Sequence, residues 1–310
     1  MPKAIDLAYV IYQVTELDRM ESFLTDFGLV PVGRVNDALY MRGTGPSPYI
    51  HVTLAGATNR FVGGALRMRS RDDLLALAKL SQSSEVEEIS APGGGFRVSM
   101  KTPDGIRIEA VWGIASAPEL PLRDPYPFNA AVRKGRYNEP LRPQREPCRV
   151  LRLGHFVLGV RNHDESVRWF QDRFGLIASD HFSVPGDPSK IVGTFLRCDR
   201  GSEFVDHHSM LIVEAEECGV HHCSFEVQDL DAIMSAHDYL EARGYRLDCG
   251  VGRHLLGSQI FDYWRDPFGF RVEHYTDGDV VNHEHRPGTF SGTADQTTQW
   301  GMNPPRDFFE

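Results

Sequence analysis

LRLGHFVLGV (151–160), followed by DESVRWFQDRFGLIAS (164–179), decides the fold, because the chain carries a second version of both. The second version is IDLAYVIYQV (5–14), followed by LDRMESFLTDFGLVPV (17–32). Each opening segment runs apolar or alternates, as a buried strand does. Each continuation has the spacing of a short amphipathic helix. It is stopped by a glycine, Gly28 or Gly175, that suits the position just past a helix C-terminus. A third pair extends the match: TPDGIRIEAVWG (102–113) and DPFGFRVEHYTDG (266–278). Both are Pro/Gly turns feeding a strand, with Glu109 seven residues after Thr102 and Glu273 seven after Asp266.

Between these landmarks each half predicts a further helix, RDDLLALAKL (71–80) or LDAIMSAHDYLEARG (230–244). A strand precedes each, GALRM (64–68) or HHCSFEV (221–227). Each half therefore reads as a pair of βαβββ modules, an α+β class. The expected organisation is two tandem domains, 1–115 and 149–282, consistent with 310 residues at roughly 100–200 per domain. Residues 116–148 are rich in Pro, Arg and Asn without sustained periodicity and read as a linker wrapping the surface. The polar, Pro-containing tail 283–310 reads as an irregular cover or interface arm, with a frayed terminus as the alternative.

Composition narrows the function class. The net charge is −10 and the Lys and Arg residues are scattered, which argues against nucleic-acid or anionic-membrane partners. No apolar run approaches the roughly 18 residues of a membrane span. The N-terminus, MPKAIDLAYVIYQV, alternates like a strand and lacks a signal peptide's apolar run. The five cysteines are odd in number and widely spaced, with no CxxC, and read as reduced, mostly buried thiols. A cytoplasmic protein is expected.

The repeat also supplies an internal control for chemistry. His155 aligns with Tyr9, His222 with Gly63 or Gly64, and Glu273 with Glu109. The second half thus has His, His and Glu where the first has Tyr, Gly and Glu. Two imidazoles and one carboxylate hold a divalent metal on one face and leave the other open. The same ligands suit zinc, although HExxH is absent. A single histidine is more often a satisfied core or surface residue. These two lie on strand-like segments, have non-histidine counterparts, and come with a glutamate flanked by apolar Phe270 and Val272. A carboxylate there needs a partner. His207 precedes His222 by fifteen residues and opens HHSMLIVEA, His254 lies in the turn-like GVGRH, and Tyr263 precedes Glu273 by ten. On a strand adjacent residues face opposite ways, so only one of His207 and His208, and one of His221 and His222, should enter a site.

Taken together, GHFVLGV, GVHHCSFEV and GVGRH…GSQIFDYWRDPFGFRVEHYTDGD resemble the type I extradiol ring-cleaving dioxygenases of the vicinal oxygen chelate superfamily. The resemblance covers nearly the whole chain and implies a metal-free first half. It implies Fe(II) on His155, His222 and Glu273, with Mn(II) the metal of some relatives. It further implies His207 as the acid–base group, and His254 and Tyr263 as hydrogen-bonding partners of the substrate oxygens. The implied reactants are a catechol-type ring and O2, and a homo-oligomer is expected by analogy. Arg253 and Arg286 are candidates by type alone for holding a charged substituent. Phe156, Val157, Phe195 and Phe261 near the ligands favour an apolar one instead. A glyoxalase-type isomerase or lyase and a non-catalytic binding protein of the same fold are the competing readings. The former does not need the additional His207, His254 and Tyr263, and the latter does not need three retained ligands.

Overall fold

A computed structural model describes residues 1–306 and 308. The first half runs β1 (Ala4–Val14), α1 (Leu17–Asp26), β2 (Val30–Val35), β3 (Ala38–Arg42), β4 (His51–Ala55), β5 (Arg60–Met68), α2 (Arg71–Ala78), β6 (Glu87–Glu88), β7 (Phe96–Lys101) and β8 (Arg107–Trp112). The second runs β9 (Val150–Val160), α3 (His163–Phe174), β10 (Leu176–Val184), β11 (Asp187–Cys198), β12 (Val205–Asp206), β13 (Met210–Glu214), β14 (Gly219–Val227), α4 (Leu230–Ala242), β15 (Arg246–His254), β16 (Ile260–Arg265) and β17 (Arg271–Thr276). Three short strands follow: β18 (Val280–Val281), β19 (Gly288–Ser291) and β20 (Thr298–Gly301).

The sheets repeat as the sequence does. The first has the order β2-β3-β4-β1-β5-β8-β7-β6, and the second β10-β11-β13-β9-β14-β17-β16-β15 with β19 and β20 at its edges. In each, an antiparallel central pair joins the two modules, β1 with β5 and β9 with β14. Within each module the first and last strands lie parallel, as β9 does with β13 and β14 with β17. The helices end where the local chemistry dictates. Asn162 and Asp229 cap α3 and α4 by accepting from the Glu165 and Ala232 N–H groups. Gly175 takes the left-handed conformation that closes α3, at φ 62°.

The largest apolar cluster is continuous through both halves and includes Tyr12, Phe23, Phe27, Phe156 and Phe225. Phe27 stacks on His274 at 3.7 Å, and His274 Nε2 donates to the Phe27 carbonyl at 2.7 Å. Asp26 at the end of α1 accepts from Tyr239, Arg243 and Tyr245, all from the second half. Residues 113–149 carry neither helix nor strand. They strap the halves together through Leu120 N–H to the Thr44 carbonyl (2.8 Å) and Arg123 to Asp229 (2.6 Å). The tail is more ordered than its polarity suggests. β19 adds to β10 and β20 to β15, because edge strands offer unpaired backbone groups to any extended segment. The five cysteines form no disulfide, and four are buried. No helix among the described residues is long and apolar enough to cross a membrane.

Burial holds two histidines in this core neutral, His51 at about 3 and His274 at about 4. Unfolding returns each toward about 6.5, so below that pH the unfolded chain binds more protons than the folded one. Stability present at pH 7 therefore falls as the pH drops from about 6.5 toward 4, by on the order of 2 kcal/mol per histidine near pH 4.5. Thermal melts of the metal-free protein should show a lower midpoint at pH 4.5 than at pH 7. His51→Phe, which keeps a ring stacked on Tyr12, should narrow that gap.

Candidate metal centre and its cavity

Strand register assembles the site. His155 on β9 stands opposite Ser224 on β14, and Ser224 opposite Glu273 on β17. Cross-strand neighbours share a face, and His222, two residues before Ser224, shares it too. Ser224 is small and leaves room between the ligands. The first sheet repeats the row as Tyr9, Ala65 and Glu109. Gly63, two before Ala65 and opposite Ile11, is therefore the counterpart of His222, which resolves the choice between Gly63 and Gly64.

The three ligand atoms converge. His155 Nε2 lies 3.1 Å and His222 Nε2 3.3 Å from Glu273 Oε2, and the two nitrogens are 3.3 Å apart. Donors about 2.1 Å from one cation and at right angles to each other stand about 3 Å apart, so the spacing fits a shared divalent metal. The Glu273 carboxylate is fully buried, and neither of its oxygens has a hydrogen-bond partner. Burial alone pushes this carboxyl upward, but His155, His222 and His254 around it outweigh that and hold it well below the usual range. Burial also keeps His222 neutral, at about 4. The set is a charged carboxylate and neutral imidazole, the protonation states that bind metal. Contact between His221 Nδ1 and His222 Nδ1 (2.6 Å) orients the His222 ring.

A cavity of about 40 Å³ opens beside these atoms. Val157, Phe182, Phe195, Leu211, Leu256 and Phe308 form its apolar wall, and His208, His254, Gln259 and Tyr263 its polar one. His254 ends β15, and its Nε2 lies 2.8 Å from Tyr263 Oη and 3.6 Å from Glu273 Oε1. Burial, with Glu273 nearby, raises the Tyr263 phenol well above its ordinary value, so it stays a hydrogen-bond donor.

The structure brings five of the six expected residues together, and the exception is His207. The two neighbouring histidines do not lie on a strand. β12 ends at Asp206 and β13 starts at Met210, so strand alternation does not govern them. His208 lines the cavity, its ring 4.3 Å from that of His155. His207 sits behind it, with Nε2 2.8 Å from Asp180 Oδ2 and Nδ1 3.1 Å from His208 Nδ1. Burial pushes the Asp180 carboxyl up, but His207 and the Gly288 N–H outweigh this and hold it ionised. If His207 donates Nε2–H to Asp180 and accepts at Nδ1, His208 donates from Nδ1 and its Nε2 lone pair is free. Burial, then His155 and His207, keeps His208 neutral, well below the usual histidine range.

Other expectations are revised. Of the predicted apolar walls, Val157 and Phe195 line the cavity, whereas Phe156 belongs to the main core and Phe261 lies behind His254 at 4.2 Å. Arg253 is tied to Asp277 at 2.6 Å, and neither it nor Arg286 lines the cavity. Phe308, missed in the sequence, packs on Tyr263 at 5.2 Å and carries the tail into the site. Its only sequence signal is an aromatic residue beyond the last periodic segment.

The ligand geometry predicts that His222→Ala and Glu273→Gln each lower bound Fe(II) or Mn(II) sharply after dialysis. His208→Ala and Asp180→Leu should leave metal content near that of the parent. Metal analysis of the four variants checks both halves of the expectation.

Residues 152–274 match the family model "Glyoxalase/Bleomycin resistance protein/Dioxygenase superfamily". The chain is 28% identical over 208 residues to metapyrocatechase 2 of Cupriavidus necator, and the match spans 66% of this chain and 61% of that one. It is 23% identical over 299 residues to the iron-dependent extradiol dioxygenase of Rhodococcus jostii (strain RHA1), covering 90% and 91%. Its fold superposes on the Mn(II)-bound glyoxalase from Novosphingobium aromaticivorans with a TM-score of 0.81, at 23% identity, covering 100% of this chain and 95% of that one. The match to that family model lies in the second half of the chain, the half that carries His155, His222 and Glu273.

Proposed function

We propose that this protein is an extradiol dioxygenase that opens a catechol-type ring with O2 at a single Fe(II), with Mn(II) as the alternative metal. The observation that carries the reading is the His155–His222–Glu273 set, with a neutral His208 on one side and the His254–Tyr263 pair on the other. Two relatives over much of the chain bear the names metapyrocatechase and extradiol dioxygenase. The metal, when bound, would bring the two catechol oxygens and O2 together and carry electrons between them.

The chain's own groups supply the rest. The free Nε2 of His208 takes a catechol proton and returns it to the opening ring. Asp180 and His207 hold His208 in that tautomer. Tyr263, kept protonated, and His254 beside it hydrogen-bond the substrate oxygens. The apolar wall excludes water and contains no Arg or Lys among the described lining residues, so it suits a compact ring with a small apolar substituent. Both atoms of O2 enter the product, a semialdehyde or dienoate. The five unpaired cysteines support a reducing, cytoplasmic setting, and a homo-oligomer remains the expectation by analogy.

Anaerobically purified protein loaded with Fe(II) should consume O2 and form a yellow product from catechol and methylcatechols. Turnover should be slower on 3,4-dihydroxyphenylacetate, whose carboxylate has no cation to meet in the cavity. No O2 uptake across a broad catechol panel with either metal would sink the proposal. His208→Ala should keep its metal and lose about 10²–10⁴-fold in kcat. If His207→Ala is as severe while His208→Ala is mild, the assignment of the acid–base group is reversed. The fold likeness to a Mn(II)-bound glyoxalase favours isomerisation as the second reading. Turnover of a thiol hemithioacetal without O2 uptake would support it.

A further inference from the structure

The polar groups that line the cavity beside the metal ligands are nearly all engaged. His155 and His222 converge on Glu273, His208 meets His207, and His254 meets Tyr263. The Thr297 hydroxyl donates to the Ala294 carbonyl at 2.7 Å. Gln259 is the exception. It lines the cavity together with Val157, Phe182, Phe195, Leu211 and Leu256, and it is 3% exposed. Its Oε1 is enclosed without a hydrogen-bond partner. Its Nε2 donates to no other described residue and is not enclosed in that way, so the amide NH2 is the end that meets the cavity.

The local backbone fixes this side chain in place. Gln259 ends the turn between β15 and β16, where its carbonyl accepts from the His254 N–H at 2.9 Å. The Gly257 carbonyl accepts from the Asp279 N–H at 2.8 Å, and Arg253 donates to the Ser258 carbonyl at 2.5 Å. Two glycines make room for the chain. A Cβ on Gly257 would stand 3.1 Å from Gln259 Oε1, and one on Gly278 3.1 Å from its Cγ. A buried amide without a partner carries a desolvation penalty that a bound ligand can relieve. An N–H donor in an apolar wall that has no Arg or Lys among its described residues selects an uncharged acceptor, because a carboxylate there would lose its hydration without meeting a cation.

We propose that Gln259 is a specificity-determining residue whose Nε2 donates to an uncharged oxygen on the ring substituent of the catechol, such as an ether. The inference rests on the ring-cleavage reading. It sharpens the substrate class from a small apolar substituent to a small uncharged one that carries oxygen.

Methoxycatechol and ethylcatechol test it, because they have nearly the same shape and differ in whether an oxygen or a CH2 joins the ring. Both the 3- and the 4-substituted pairs are used, so that either ring edge can meet Gln259. The first readout is the methoxy-to-ethyl affinity ratio, from anaerobic calorimetric titration of the Fe(II)-loaded protein. The second is the same ratio of kcat/KM under O2. Comparing parent with variant cancels the intrinsic difference between the rings. In at least one pair, Gln259→Leu and Gln259→Met should each shift the affinity ratio against methoxy by about three- to ten-fold, as loss of one uncharged hydrogen bond does. The ratio is measured within one protein, so general damage to the fold does not move it, and metal content and circular dichroism check each variant. Affinity ratios unchanged in both variants would overturn the proposal, and so would failure of all four catechols to bind. Turnover with unchanged ratios removes the role of Gln259 and leaves ring cleavage standing. Discrimination in binding without any turnover does the reverse.

Discussion

A carboxylate buried at the centre of a sheet is the constraint on which the rest of this structure depends. Glu273 is fully buried on β17 without a hydrogen bond, and an ionised group so placed costs several kcal/mol unless a positive charge compensates it. His155 and His222 stand at ion-pair distance, but burial keeps His222 neutral, a ligand rather than a counter-charge. A divalent cation would meet that electrostatic need and accept lone pairs from both imidazoles. The metal reading thus follows from desolvation as much as from ligand type.

The first half faces the same problem and solves it differently. Glu109 is as deeply buried and stands at the same register position. It is compensated by Arg107 and Arg97 and by the Tyr9 hydroxyl. Burial and the neighbouring Glu109 carboxylate keep that phenol protonated. One duplicated strand position therefore supports two chemistries, according to whether the positive charge comes from side chains or must come from solution. The two sites stay in fixed relation because the apolar core is continuous between the halves. The Asp26 cluster and the strap of residues 113–149 tie them further.

Much of the fold was legible because strand and helix periodicities are local and the chain states them twice. The paired βαβββ order, the glycine helix stops and the positions of His155, His222 and Glu273 all follow from those repeats. The Gly63/Gly64 ambiguity was not resolvable in sequence. The β1–β5 and β9–β14 pairings both contain register shifts, which break simple counting. Which of His207 and His208 lines the cavity was not readable for a related reason. The alternation rule presumes a strand, and that pair lies in the irregular link before β13. Asp180 and Phe308 were invisible because each meets the site only through contacts distant in sequence.

The sequence by itself determined the modules, their duplication and the positions of His155, His222 and Glu273, because each is encoded in local period and in the difference between two copies. Only the tertiary structure decided which histidine faces the cavity, what holds it there and how the tail closes over it. Those outcomes depend on side-chain packing between segments with no common period. They depend equally on where a buried polar group finds its partner.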